Sequence, residues 1–175
     1  MLALLVAAAF AGDFGHTGQY LVMGSASVSY SSTGSDSVTS LDVSPEVAGF
    51  IADHWALGLS LHYTLTSATV NGVDQGTRTS GGISPYVAYD MPLGSQVSLF
   101  PSAGLLFTSQ ADRRTWGLTA FVPFLFHPVA HFFLGLGPSI AADLVAQVPG
   151  NGPTPTSNSD RTFTLGARTV LGGYF

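Results

Sequence analysis

The last fifteen residues, Arg161 to Phe175, read RTFTLGARTVLGGYF and change face with every residue. A period of two is that of a β-strand, whose successive side chains point to opposite faces. About 9–11 tilted strand residues cross the hydrocarbon core of a bilayer, so this stretch is long enough to span one. One face carries Phe163, Leu165, Ala167, Thr169 and Leu171, and the other carries Thr164, Gly166, Arg168, Val170 and Gly172.

The same alternation recurs along most of the chain and predicts eight strands. The predicted connections alternate between short and long, as in transmembrane barrels with short turns at one end and longer loops at the other. The pattern predicts an all-β protein, an eight-stranded antiparallel up-and-down transmembrane β-barrel. The predicted strands are Tyr20–Tyr30, Ser40–Ile51, Ala56–Thr66, Thr79–Asp90, Gln96–Thr108, Thr115–Phe126, Phe132–Leu144 and Arg161–Phe175. The predicted long loops are Ser31–Thr39, Ser67–Arg78, Ser109–Arg114 and Gln147–Asp160.

Composition supports this prediction and excludes several classes of protein. Charged residues make up 9% of the chain and hydrophobic residues 46%, with a mean hydropathy of +0.36. Beyond the N-terminus, no apolar run reaches the roughly 18 residues of a helical membrane span. A net charge of −5 without a single Lys argues against a nucleic-acid partner. The absence of Cys excludes disulfides and thiolate metal sites.

The N-terminus predicts a targeting segment. Residues 1–11 begin MLALLVAAAF and resemble the apolar part of a signal peptide with a small-x-small cleavage site, and the alternative is a short buried helix. The positive region that usually opens a signal peptide is missing, so we expect the true start upstream. Residues 12–19 are predicted to form a short N-terminal segment, and residues 20–175 the barrel.

Five prolines conflict with regular strand pairing. Proline cannot donate a hydrogen bond to a neighbouring strand. Each lies at a similar distance from a short turn, so we expect a ring of bulges or a locally broken ladder at one height. They are Pro45, Pro85, Pro101, Pro123 and Pro138.

Three stretches carry a family resemblance: Ser44–Ile51 with its Asp53 turn, the Phe132–Pro138 strand, and the terminal Phe175. On these, the chain resembles the small eight-stranded outer-membrane β-barrels of Gram-negative bacteria, which include the OmpA membrane domain and OmpX. The resemblance implies a monomer in the outer membrane, in contact with its lipid and with lipopolysaccharide. It also implies that Phe175 is part of the signal read by the barrel-assembly machinery. Gly173 departs from the pattern, because a second aromatic is more usual there.

The motifs of catalysis and cofactor binding are missing. None of the five His residues is followed by Ser two residues later, the pair used by lipid-modifying outer-membrane enzymes, and no Gly-x-Ser-x-Gly occurs. His127 and His131 have helical ligand spacing but are predicted to lie in a turn interrupted by Pro128. We therefore predict no enzyme activity, no cofactor and no metal site, with these His residues at the membrane interface.

Four arginines gather at the predicted long-loop end, where guanidinium groups could bind the phosphates of lipopolysaccharide. The equal alternative is that they balance nearby Asp74, Asp112 and Asp160. The arginines are Arg78, Arg113, Arg114 and Arg161.

The predicted interior contains an ion pair and several obstructing side chains. Glu46 and Arg168 both point inward, and each lies seven residues before its short-turn end, so we predict that they pair across one strand; separate solvation is the alternative. An eight-stranded barrel is just wide enough for side chains to fill it. The predicted obstructing residues are Met23, Phe50, Tyr86, Phe100 and Phe121.

These features predict a non-porin barrel with a structural or surface-interaction role and loops facing outside. Small inward residues such as Gly58 and Gly135 favour an alternative, a narrow passage for small or apolar molecules. A lipid-modifying outer-membrane enzyme and a soluble ligand-binding barrel are further alternatives.

Overall fold

The structure is a computed structural model that describes residues 14–110, 113–147 and 163–175. The predicted signal segment, residues 1–11, lies outside the described residues. No helix among those residues is long and apolar enough to cross a membrane. Strands account for most of them: β1 (Tyr20–Thr33), β2 (Asp36–Ala52), β3 (Trp55–Val70), β4 (Val73–Tyr89), β5 (Met91–Pro92), β6 (Val97–Leu99), β7 (Ser102–Gln110), β8 (Arg113–Phe121), β9 (Phe124–Val129), β10 (Phe132–Gln147) and β11 (Phe163–Tyr174).

The strands close into an antiparallel ring. Each of β1 to β4 pairs with the next, β4 pairs with β7, β7 with β8, β8 with β10, β10 with β11, and β11 with β1. The short strands β6 and β9 continue the fifth and sixth barrel strands beyond a break, and β5 pairs with β6. The predicted all-β, eight-stranded antiparallel up-and-down barrel is therefore confirmed. We call the end that carries His54, His131 and Phe175 the base, and the opposite end the rim.

Three of the predicted rim loops are wrong, because the strands continue into them; within Ser109–Arg114, Ser109 pairs with Arg114 and Gln110 with Arg113. The β1–β2 hairpin turns at Gly34 and Ser35, and the β3–β4 hairpin turns at Asn71 and Gly72. Asn71 and Gly72 both have positive φ, 51° and 76°, which is the tight two-residue turn that matches the twist of paired strands. The flanking Ser, Thr and Val residues then remain in the ladder, so tall hairpins replace the expected loops.

The prolines interrupt the ladder in the basal half of the barrel. Pro101 separates β6 from β7, and Pro123 separates β8 from β9. Proline carbonyls still accept hydrogen bonds here: Phe100 N donates to Pro123 O, and Val122 N donates to Pro138 O, both at 3.0 Å. At each break, the proline carbonyl therefore still accepts a hydrogen bond, and only the N–H that proline lacks is missing from the ladder.

Apolar side chains dominate the outside of the barrel. Exposed fractions are 54% for Val22, 57% for Leu57, 50% for Leu105 and 57% for Leu136. Inside, all five side chains predicted to obstruct the lumen are buried. One of them, Tyr86, lies against the backbone of Gly58, where any Cβ would collide with its ring.

Candidate functional site

The base of the lumen is filled by aromatic rings around Phe14. The ring of Phe14 lies 4.8 Å from His127, 5.1 Å from Tyr174 and 5.3 Å from Phe50, measured between centroids. Phe14 is 4% exposed. Its segment is held by backbone bonds, from Gly18 N to Phe50 O at 2.9 Å and from His54 N to Gly15 O. The segment before β1 therefore closes the base from inside, and we call Phe14 together with the rings around it the Phe14 plug.

A turn at the base fastens the same segment with a carboxylate. Asp53 Oδ1 accepts hydrogen bonds from the backbone N–H and the hydroxyl of Thr17, at 3.0 and 2.8 Å. These bonds stabilise the charged form, and the backbone N–H makes the larger contribution to lowering the pKa of Asp53 below its ordinary 3.8.

A buried polar network lies beside the Phe14 plug. His127 Nε2 is 3.3 Å from Ser98 Oγ, Ser98 also hydrogen-bonds Asp90, and Asp90 Oδ2 is 3.3 Å from His54 Nδ1. The prediction that His127 is an interfacial turn residue is wrong: it lies inside β9 and is 3% exposed. The strand runs to Val129, and its period of two turns His127 inward.

The network contains Ser, His and Asp but lacks the order of a catalytic triad. In a triad, the carboxylate orients the imidazole through Nδ1. Here Asp90 bonds to Ser98 and His54, and His127 Nδ1 is buried without a hydrogen-bond partner among the described residues. The arrangement therefore fits a structural role at the base of the barrel better than the activation of a serine nucleophile. Nor do the described residues contain a group of three or more potential metal ligands.

The structure brings Glu46 and Arg168 together above the base. Arg168 Nη2 donates to Glu46 Oε1, and Arg168 Nε donates to Ser25 Oγ at 2.9 Å. The guanidinium also lies 4.9 Å from the ring centroid of Phe121. Glu46 is 7% and Arg168 22% exposed, so the pair is largely shielded from bulk water.

Glu46 and Arg168 do not lie at the equal heights that their equal distances from the turns predict. Glu46 pairs with Met23, and Met23 pairs with Gly172, four residues beyond Arg168 toward the base. Strands in a closed barrel are tilted and staggered, so equal distances from the turns do not give equal heights. The long Arg168 side chain covers the difference and reaches the carboxylate.

Above this pair lies a cavity of about 720 Å³, which we call the polar cavity for its hydroxyl, carboxylate and imidazole groups, although apolar side chains such as Leu106 also line it. Asp42 Oδ1 accepts from the Thr64 hydroxyl at 2.7 Å, and Ser44 Oγ is 3.2 Å from His62 Nδ1. His62 Nε2 is buried without a hydrogen-bond partner among the described residues. Hydroxyl groups supply much of the remaining polar lining: Thr108, Thr119, Ser139 and Thr164.

The cavity wall is incomplete on one side. Strand β1 pairs with β11 over four rows, from Leu21–Tyr174 to Gly24–Leu171, and the described residues above them form no further pairs between these strands. Yet β1 stays paired with β2 up to Thr33, and β11 with β10 up to Phe163. We call this gap the seam. A mostly apolar groove of about 620 Å³ lies along it and shares Ser25, Ala26 and Thr169 with the cavity.

The structure describes the side chains of two of the four arginines predicted to bind phosphate. Arg78 lies exposed on β4, and Arg114 lies exposed near the rim end of β8. Arg113 begins β8, but its side chain, like the whole of Arg161, lies outside what the structure describes. Phe175 is 73% exposed at the base, and its backbone exchanges two hydrogen bonds with Tyr20.

Sequence reasoning missed three parts of this site. Phe14 stands in a segment without strand periodicity, and nothing local indicates that it enters the lumen. The Ser98–His127 contact joins the paired strands β6 and β9, and it was missed because His127 was assigned to a turn rather than to a strand. The seam depends on where pairing stops, which no residue pattern marked.

The strand pairing defines the class of the molecule, a closed eight-stranded β-barrel with a filled base and an open polar cavity. No family model matches the sequence, and no curated protein matches it. Among solved structures, the chain is similar to the crystal structure of the outer membrane protein OprG from Pseudomonas aeruginosa, with 12% identity and a TM-score of 0.45. The match covers 92% of this chain and 98% of OprG. The barrel assignment rests on the chain's own pairing.

Proposed function

We propose that the protein is a monomeric integral outer-membrane barrel of the small OmpA and OmpX kind, without enzyme activity. The observation that carries this proposal is the inverted distribution of polarity. Leu57 and Leu136 on opposite parts of the wall are more than half exposed, whereas Glu46 and Ser84 are buried in the lumen. Such a surface is stable against lipid, and the antiparallel ring pairs the backbone of neighbouring strands along the described wall, except at the seam and at the proline breaks.

We further propose that the barrel is not a general pore and that its role is structural or at the cell surface. The Phe14 plug fills the base, and the Glu46–Arg168 pair with Phe121 crosses the lumen above it. These two obstructions lie one above the other and support the proposal that the lumen is closed between the rim and the base. The hairpins and the cavity at the rim then carry the interactions of the protein, with the rim facing outside.

Two contacts with the cell envelope complete the proposal. Exposed Arg78 and Arg114 would contact lipopolysaccharide phosphates, with Arg113 and Arg161 as further candidates. Phe175 would be read by the barrel-assembly machinery. Deletion of Phe175 should then lower the amount of protein in the outer membrane while leaving synthesis unchanged, whereas His16→Ala, an exposed change at the same end, should not.

The test of location is fractionation of cells that express the chain, followed by protease treatment of intact cells. We expect a heat-modifiable band in the outer membrane and cleavage, if any, within residues 147–160. Recovery in the soluble fraction would contradict the proposal. Cleavage confined to the Asp53–Trp55 turn of sealed cells would reverse the orientation.

The seam favours a second function, a narrow passage for small or apolar molecules that leads sideways rather than through the base. The groove on the lipid-facing surface and the cavity inside share Ser25, Ala26 and Thr169 in their linings, where the pairing of β1 with β11 has stopped. Ion conductance tests passage through the base, and ligand labelling at the seam tests the sideways route.

A further inference from the structure

We propose that the cavity and the seam together form one binding site for a single-chain amphiphile with a neutral, hydroxyl-rich head group. The head group would occupy the polar cavity, and the alkyl chain would leave through the seam into the surrounding lipid. This inference rests on the proposed membrane location and adds a ligand class to it.

The shared lining of the two spaces, at the place where β1 and β11 are unpaired, supports an amphiphile rather than a purely polar ligand. Hydroxyl groups and the buried Nε2 of His62 supply polar groups to the cavity, and the groove is lined by apolar atoms of residues such as Val43, Leu134 and Leu171. The polar and the apolar spaces meet at Ser25, Ala26 and Thr169. The groove, with a volume of about 620 Å³, gives an alkyl chain a place beside the unpaired part of β1 and β11.

The charges of the lining decide the class of head group. The Arg168 guanidinium is already bonded to Glu46 and Ser25, while Asp42 adds a negative charge to the same cavity. Asp42 would therefore repel an anionic head group, and Arg168, the cation that could attract it, is already bonded to other residues. Hydroxyl groups both donate and accept, so a polyol can bond to the lining threonines and to the partnerless Nε2 of His62.

The head group must supply the selectivity. Lipid chains are as apolar as the groove, so the alkyl chain gains no hydrophobic free energy on entering the seam from the bilayer. A buried imidazole nitrogen without a partner is costly, and a ligand hydroxyl that reaches it recovers that cost. Loss of His62 should therefore weaken binding more than any change in the groove that leaves the seam open.

The test is photolabelling of the full chain refolded into phosphatidylcholine vesicles. The probe is an alkyl glucoside with a diazirine in its chain, and acquisition of the heat-modifiable form is scored first, so that failed insertion is distinguished from failed binding. We expect labelling concentrated on peptides that contain Ala26 and Leu171. Uniform labelling around the barrel would show ordinary lipid contact and overturn the inference.

Matched variants locate the site. Ala26→Trp fills the seam and should reduce seam labelling about tenfold, whereas Val47→Trp, on a lipid-facing position paired on both sides, should not reduce it. His62→Leu should reduce labelling similarly while leaving heat-modifiability intact. Unlabelled alkyl glucoside should compete, and the carboxylate of equal chain length should not. Unchanged labelling in Ala26→Trp, or equal competition by the carboxylate, would overturn the proposal.

Discussion

The Glu46–Arg168 pair allows a quantitative prediction about the lumen. Arg168→Met leaves Glu46, which is 7% exposed, in the lumen without its cation. Removing one partner of a buried ion pair costs about 3–5 kcal/mol. Glu46→Gln keeps the side-chain volume and an acceptor, and Arg168 keeps Ser25 and Phe121, so the loss there is about 1.5–3 kcal/mol, the contribution of a hydrogen bond to a charged group.

The double variant contains neither charge, so the cost of an unpaired buried charge is absent and its loss should not exceed that of Glu46→Gln alone, about 1.5–3 kcal/mol. The coupling energy is then about 3 kcal/mol, the upper end of the range for residues in contact. The assay is reversible urea unfolding from phospholipid vesicles, followed by tryptophan fluorescence. Glu46→Gln combined with Arg78→Met, at an exposed arginine, serves as the control and should be additive within about 0.5 kcal/mol. Additive losses for Glu46 and Arg168 would refute the pair as a stabilising contact.

Two further predictions concern close packing and pH. Gly58→Ala should destabilise the barrel by about 1–3 kcal/mol in the same unfolding assay, because its Cβ collides with Tyr86. The control is Gly94→Ala, whose Cβ meets no atom within 4 Å and which should change stability by less than about 0.5 kcal/mol. Equal losses in the two variants would contradict this prediction. The pKa of Asp53 in the folded protein is lower than its ordinary value of 3.8. The stability that its bonds to Thr17 contribute is therefore present above pH 3.8 and is lost as the pH falls through the folded pKa. The NMR shift of the Thr17 amide should titrate with a midpoint below 3.8 and should lose that step in Asp53→Asn.

The sequence was sufficient to predict the barrel and the inward face of most strands. The reason is physical: alternation of side chains is a property of each strand alone, so Phe50, Tyr86 and Phe121 could be assigned to the lumen without knowing their neighbours. The same local rule brought Glu46 and Arg168 to one interior, although it could not give the stagger between their strands.

Features that depend on distant parts of the chain could not be predicted in this way. The extension of the β3–β4 hairpin was an exception, since Asn71-Gly72 is a strong local turn signal that loop composition obscured. The insertion of Phe14 into the base depends on the space left by five other strands. The end of β1–β11 pairing depends on closure of the whole ring, so the seam is visible only in three dimensions.

Single-channel recording in planar bilayers tests the closed lumen most directly. The wild-type protein, with insertion verified by its heat-modifiable form, should give no ion current, because the Phe14 plug and the Glu46–Arg168 pair obstruct the path in succession. A porin inserted under the same conditions shows that the bilayer reports open channels. Steady, stepwise conductance of the wild-type protein would contradict a barrel that is closed at its base.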